Sequence, residues 1–186
     1  PEKFDIAAGD SIGVGAIRHG GLGGTAVNQV SAPEAALAEA AGGRNPQQAL
    51  DFVNTHPDRF KGKNVLWSSG LMNSGDPQAS LAKVGEQLDA LKAAGANVVL
   101  AGVDQGQFAQ YNTALAAIAE EKGVPFAGPL PTKNVHPGPR GYKEYAESAA
   151  KLITAPQGAT VATTGLLEKG NIDLTARPVV KNPDGS

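Results

Sequence analysis

Phe4-Asp5-Ile6-Ala7-Ala8-Gly9-Asp10-Ser11-Ile12-Gly13-Val14-Gly15 is the stretch on which the reading of this chain turns. Residues 4–8 predict a short buried strand, and residues 9–15 a glycine-rich turn that opens a helix. A serine at such a turn carries its hydroxyl to the carboxyl edge of a sheet, with its own N–H pointing outward at a helix start. That group can attack a carbonyl and also help to hold the oxyanion it creates. Turns of this kind are more often plain tight turns or phosphate-loop lookalikes, so the neighbouring sequence has to decide. Gly13 and Gly15 make only a fragment of the dinucleotide fingerprint, and the run Gly20-Gly21-Leu22-Gly23-Gly24 comes too late for it. No Gly-Lys-Ser/Thr occurs, which excludes a P-loop.

Working outward, strand-like and helix-like segments alternate. Residues 35–41 are the candidate second strand, inside a poorly patterned Gly/Ala-rich stretch. Residues 46–54 predict a helix with Asn45 as its cap and Pro46 in its first turn. A strand is expected from Val65 to Ser69. Asp76 should cap a helix running to about residue 94, with Leu81, Val84, Leu88 and Leu91 at helical spacing. The run Val98-Val99-Leu100-Ala101-Gly102-Val103 has the character of a strand buried on both faces. Residues 108–122 are again helical and end at Gly123. Residues 124–127 predict a strand and residues 141–153 a closing helix. The expected class is therefore α/β, a parallel sheet with helices on both faces and right-handed crossovers. In such sheets ligands bind beyond the carboxyl ends of the strands. Ser11, the segment Gly70 to Asn73 and His136 all fall at that edge.

A serine needs a base, and His136 is the best of three histidines. His19 sits in a Gly-rich loop and His56 near a helix end, each read as a solvated residue. Three further segments join Ser11 and His136: Gly42-Gly43-Arg44-Asn45-Pro46, then Ser68-Ser69-Gly70-Leu71-Met72-Asn73, then Val135-His136-Pro137-Gly138-Pro139-Arg140-Gly141-Tyr142. Serine, glycine, asparagine and histidine in that order resemble the four blocks of the SGNH (GDSL-type) hydrolases, across residues 4–153. The resemblance implies a three-layer α/β/α, flavodoxin-like fold with a central parallel sheet of about five strands. It also implies Ser11 as nucleophile and His136 as general base. The oxyanion hole would then be formed by the N–H groups of Ser11 and Gly43 and the Asn73 side chain.

Two positions depart from the family pattern. The family carries Asp three residues before the histidine, and this chain has Lys133 there. A lysine cannot orient the imidazole, and a charge pointing inward would depress the histidine pKa. Asn134 could orient the ring through its amide, or a main-chain carbonyl could do so, leaving a Ser–His dyad. Asp104, after the strand 98–103, is the one acid with a claim to the vacant role. Gly70 and Asn73 are separated by two residues with no Asp after the Asn, a wider spacing than usual. Asp10 is read as structural, closing the turn on backbone N–H groups, and Trp67 as core.

Composition bounds the rest. A net charge of −2 with no basic run gives no electrostatic case for nucleic acid. With no cysteine, disulfides and thiolate metal sites are excluded. No His/Asp/Glu spacing resembles a metal site, so neither metal nor other cofactor is expected. No apolar run approaches the roughly 20 residues of a membrane span. The chain opens at Pro1 without Met, as a piece of a longer protein would. Residues 1–154 are expected to form the hydrolase-like domain and residues 155–186 a linker and tail. In that tail, Gly170-Asn171-Ile172-Asp173-Leu174-Thr175 with Arg177-Pro178-Val179-Val180 resembles a segment of phage-encoded virion proteins, which implies other virion proteins as partners and a virion or extracellular location.

The expected activity is thus that of a carboxylic-ester hydrolase working through an acyl-enzyme. Its expected substrate is a small acyl ester, such as O-acetyl on a bacterial surface polysaccharide. The alternatives are a non-catalytic domain of this type with a structural or binding role in a virion, and a small-molecule or nucleotide binder using the turn at residues 9–15.

Overall fold

The chain is described here by a computed structural model covering residues 3–153. The expected tail, residues 155–186, and the virion-like segment within it lie outside the described residues. In chain order the strands are β1 (Ile6–Ala8), β2 (Ala26–Val27), β3 (Ala40–Ala41), β4 (Asn64–Trp67) and β5 (Asn97–Leu100). The helices are α1 (Ser11–Gly20), α2 (Pro46–Thr55), α3 (Pro77–Ala93), α4 (Tyr111–Lys122) and α5 (Pro139–Ala150).

The central sheet has the order β1-β4-β5 and is parallel throughout, with Ile6 opposite Val65 and Val65 opposite Val98. Three strands stand where about five are expected. On one side, residues 35–41 contribute a single bridge from Ala40 to Gly9, because Pro33–Leu37 closes into a 3-10 turn. Ala40 and Ala41 instead pair with β2 in a separate two-stranded sheet. On the other side, residues 124–127 pair with β5 in a single bridge, Phe126 opposite Leu100, before Gly128 at φ +81° turns the chain away. The strand expected over residues 98–103 likewise ends at Leu100.

Alternation along the strands sends successive side chains to opposite faces. Ile6, Ala8, Val65, Trp67, Val98 and Leu100 are buried with Phe52 and Val53 of α2, Leu88 and Leu91 of α3, and Leu115 of α4. Ala7, Leu66 and Val99 are buried with Ile12 and Ala16 of α1 and with Tyr142, Tyr145 and Ala149 of α5. The sheet is therefore covered on both sides, and Trp67, fully buried, is core.

Helix α1 begins at Ser11 itself, so the glycine-rich turn is shorter than expected. Asp10 caps the helix by accepting from the Ile12 N–H. Gly13 and Gly15 lie inside α1, and their lack of a side chain serves packing: a Cβ on Gly15 would fall 2.0 Å from Tyr142 Cζ. Gly9 is the residue that makes the turn, at φ +110°, where a Cβ would meet Ser68 O at 1.9 Å. His19 lies in the last turn of α1, not in a loop, stacked on Tyr142 at 6.0 Å between ring centroids. Asn45 caps α2 in a reciprocal capping box with Gln48, and Asp76 caps α3 from its side chain. Helix α4 starts three residues later than expected, at Tyr111, and ends at Gly123. Helix α5 runs Pro139–Ala150 in place of 141–153, since Pro139 suits a first helical position.

Candidate functional site

The parallel sheet turns three loops toward one edge, and buried polar groups knit them together. Asp10, 2% exposed, accepts from the Ser68 hydroxyl at 2.5 Å, while its own N–H donates to Ser68 Oγ at 3.2 Å. Burial raises the Asp10 carboxyl above its ordinary value, against the lowering effect of the Ser68 and Ile12 hydrogen bonds and of His136. The residue after Gly43 is the second knot. Arg44 is buried, and its guanidinium donates to the carbonyls of Gly9, Glu39, Ala35 and Ala38. The same guanidinium lies 4.7 Å from the Phe52 ring centroid. Burial lowers its pKa to about 10, with the charges of Asp10 and Glu39 opposing the shift. Its main-chain carbonyl accepts from Asn73 Nδ2 at 2.9 Å. A Cβ on Gly70 would lie 2.5 Å from that same oxygen, so glycine permits the two loops to touch. Below them, Gln87 of α3 accepts from Trp67 Nε1 and donates to the carbonyls of Pro46 and Ser69.

Onto this platform the loop before α5 brings the fourth residue. Ser11 Oγ and His136 Nε2 are 2.6 Å apart, a contact between residues 125 apart in sequence. His136 is exposed and Ser11 half-buried. As the first residue of α1, Ser11 has no helical partner for its N–H. The Gly43 N–H makes no hydrogen bond among the described residues, and Gly43 is itself exposed at φ +80°. The Asn73 amide has a second N–H beyond the one used on Arg44. Three candidate donors are thus unengaged on the loops that carry or flank Ser11.

The other side of the imidazole departs from expectation. Among the described residues no hydrogen bond reaches His136 Nδ1, from neither an amide nor a main-chain carbonyl. Asn134 uses its N–H on Thr132 Oγ1 at 3.0 Å, and its exposed side chain does not hold the ring. Lys133 is exposed as well. Asp104 is fully buried, but its Oδ1 accepts from the N–H groups of Gly106 and Phe108, and its Oδ2 has no hydrogen-bond partner among the described residues. It holds its own turn and does not bond the histidine. The second histidine, His56, is anchored rather than freely solvated, with Nε2 3.0 Å from Ala36 O.

Arg44, Ser68 and Gln87 are positions that sequence reasoning missed. An arginine after two glycines has the pattern of a surface residue, and only its carbonyl partners in the fold identify it as an internal brace. Among the described residues no group of three or more His, Cys, Asp or Glu could hold a metal ion. No described helix is long and apolar enough to cross a membrane. Compared with protein-family models, curated proteins and solved structures, the chain matches none of them.

Proposed function

We propose that this chain is a serine esterase of the SGNH type that hydrolyses a small acyl ester. The observation that carries the reading is the 2.6 Å contact between Ser11 Oγ and His136 Nε2. Around it, the loops bearing Gly43 and Asn73 are joined at Arg44 and tied to Gly9, two residues before the serine. Reading the single bridges at Ala40 and Phe126 as the two edges of the sheet gives the order of a flavodoxin-like, three-layer fold, with the serine after the first strand.

In the proposed reaction the ring proton sits on Nδ1 and Nε2 accepts the hydroxyl proton as Ser11 Oγ attacks the ester carbonyl carbon. The carbonyl electron pair moves onto oxygen, facing the N–H groups of Ser11 and Gly43 and the free N–H of Asn73. As that pair returns, the bond to the alkoxide breaks, and Nε2–H protonates the departing alcohol. Water then repeats the sequence on the acyl-enzyme and releases the acid. Because the imidazolium lacks a hydrogen-bonded acid, the enzyme works as a dyad. An O-acetyl group on a carbohydrate suits an exposed histidine beside a half-buried serine. Leu37 is the one large apolar side chain exposed among the described residues, which leaves little apolar surface to lay a long acyl chain on.

The unpartnered Nδ1 and Lys133 favour one competing reading, a non-catalytic domain of the same type; association with virion proteins belongs with that reading and rests on the segment at residues 170–180. Hydrolysis of p-nitrophenyl acetate separates the two. The esterase hydrolyses it, and Ser11→Ala and His136→Ala each abolish the activity. Wild-type protein without activity, or variants as active as wild type, would refute the esterase.

A further inference from the structure

Helices α1 and α5 leave between them an open groove of about 510 Å³, lined by Arg18, His19, Arg140, Lys143, Glu144 and Glu147. Each wall carries a link toward the candidate site. At one wall, Arg140 lies four residues beyond His136. At the other, the Arg18 guanidinium bonds Asn28 Oδ1. The Asn28 carbonyl would lie 2.0 Å from a Cβ on Gly42, and Val30 N–H donates to Gly42 O at 2.7 Å, so this segment walls the loop that carries Gly43. Arg140 and Lys143 are exposed and form no ion pair among the described residues, although Glu144 and Glu147 stand one helical turn from them.

We propose that this groove is a subsite for an acidic, carboxylate-bearing glycan chain whose acyl group is presented to Ser11. The carbohydrate class rests on the esterase reading above; the charge does not. A guanidinium fork matches a carboxylate through two parallel hydrogen bonds, which Arg140 is free to offer on one wall and Arg18 can offer on the other through the edge that Asn28 does not occupy. Glu144 and Glu147 accept from sugar hydroxyls in the same groove. Those carboxylates also set the density of charge that fits. A nucleic acid presents phosphates along its whole length and would meet both glutamates, whereas a glycan with spaced carboxylates can place them against the cations alone. His19, stacked at 26° on the buried Tyr142 ring, lines the groove at the α1 side.

The test is fluorescence anisotropy of the intact protein with a labelled oligogalacturonate, using a neutral dextran oligomer and single-stranded DNA of matched length as comparisons. The expected result is binding of oligogalacturonate that weakens with salt, weaker or no binding of the other two, and at least a tenfold loss in the Arg18→Glu/Arg140→Glu/Lys143→Glu variant. Lys143→Glu alone, at an exposed position, should lose affinity in the same direction and guards against misfolding of the triple variant. Binding that is absent, equal for dextran, tighter for DNA, or unchanged in both variants overturns the proposal. The readout is binding without turnover, so it stands or falls separately from the hydrolysis test of Ser11.

Discussion

The two halves of the candidate site are built in opposite ways. The loops around Gly9, Gly43 and Gly70 are braced from beneath by buried polar groups, with Arg44 alone satisfying four carbonyls and Asp10 bonded to Ser68. The histidine loop is held from outside. Its internal ties are a 3.4 Å contact from Thr132 Oγ1 to His136 O and the Asn134 N–H on Thr132, with Gln105 N–H bonding Thr132 O at 2.7 Å. The contrast teaches where precision is needed. Donors for a developing oxyanion must be fixed in advance to be of use, whereas a base that bonds the serine directly needs only to be within reach. Among the described residues, Ser11 Oγ is the one hydrogen-bond partner of the His136 imidazole.

Breaking the braced half should have the largest effect. Arg44→Met keeps much of the side-chain volume but leaves buried carbonyls without donors. It should cost about 3 kcal/mol or more of stability in urea unfolding, since hydrogen bonds to a charged group contribute roughly 1.5–3 kcal/mol each. A loss below about 1 kcal/mol would mean the brace is replaceable by water. Next comes Asn73→Ala, which should lower kcat toward p-nitrophenyl acetate by on the order of 10²–10³ with little change in KM. A rise in KM at constant kcat would make Asn73 a substrate-binding group instead.

Asp10→Asn sharpens the comparison by pH. Burial raises the folded pKa of Asp10 above its ordinary 3.8, so folding disfavours its charged form relative to the unfolded chain. The associated stability is fully present below the ordinary pKa and is lost as pH rises through the folded value. The amide keeps Oδ1 as acceptor for the Ile12 N–H and the Ser68 hydroxyl but cannot ionise. Whatever constant offset the change carries, the stability of Asp10→Asn relative to wild type should improve from pH 3.5 to pH 7. A relative loss over that interval, read from paired urea melts, would show the charge to be stabilising. The smallest effect is expected at the exposed loop: Lys133→Ala should change kcat less than about twofold, because a dyad lacking a charged orienter has none to lose. Lys133→Asp should raise activity at neutral pH by stabilising the imidazolium.

Much of the sheet was legible in sequence because residues 65–67 and 98–100 are continuous apolar runs, as burial on both faces requires. Its edges were legible in place but not in extent: strands were expected at residues 35–41 and 124–127, and each holds a single bridge to the central sheet, at Ala40 and Phe126, among Gly and Pro residues that cut the pairing short. Asp10 was legible as a structural residue bonding backbone N–H groups at the turn, and the serine and histidine from the loops they occupy. The brace by Arg44 was not, since its partners at residues 9, 35, 38 and 39 are brought to it only by the fold. The missing orienter of His136 was legible as the absence of an acid at Lys133. That neither Asn134 nor a main-chain carbonyl fills the gap could only be read from geometry.

The central claim is that Ser11 is a nucleophile activated by His136, and covalent capture tests it most directly. Incubation with diethyl p-nitrophenyl phosphate, followed by peptide mass spectrometry, should yield one diethylphosphoryl adduct, on Ser11, with release of p-nitrophenol. The adduct should be absent from Ser11→Ala and form far more slowly in His136→Ala. An unmodified Ser11, or labelling of Ser11 at the same rate without His136, would contradict the account.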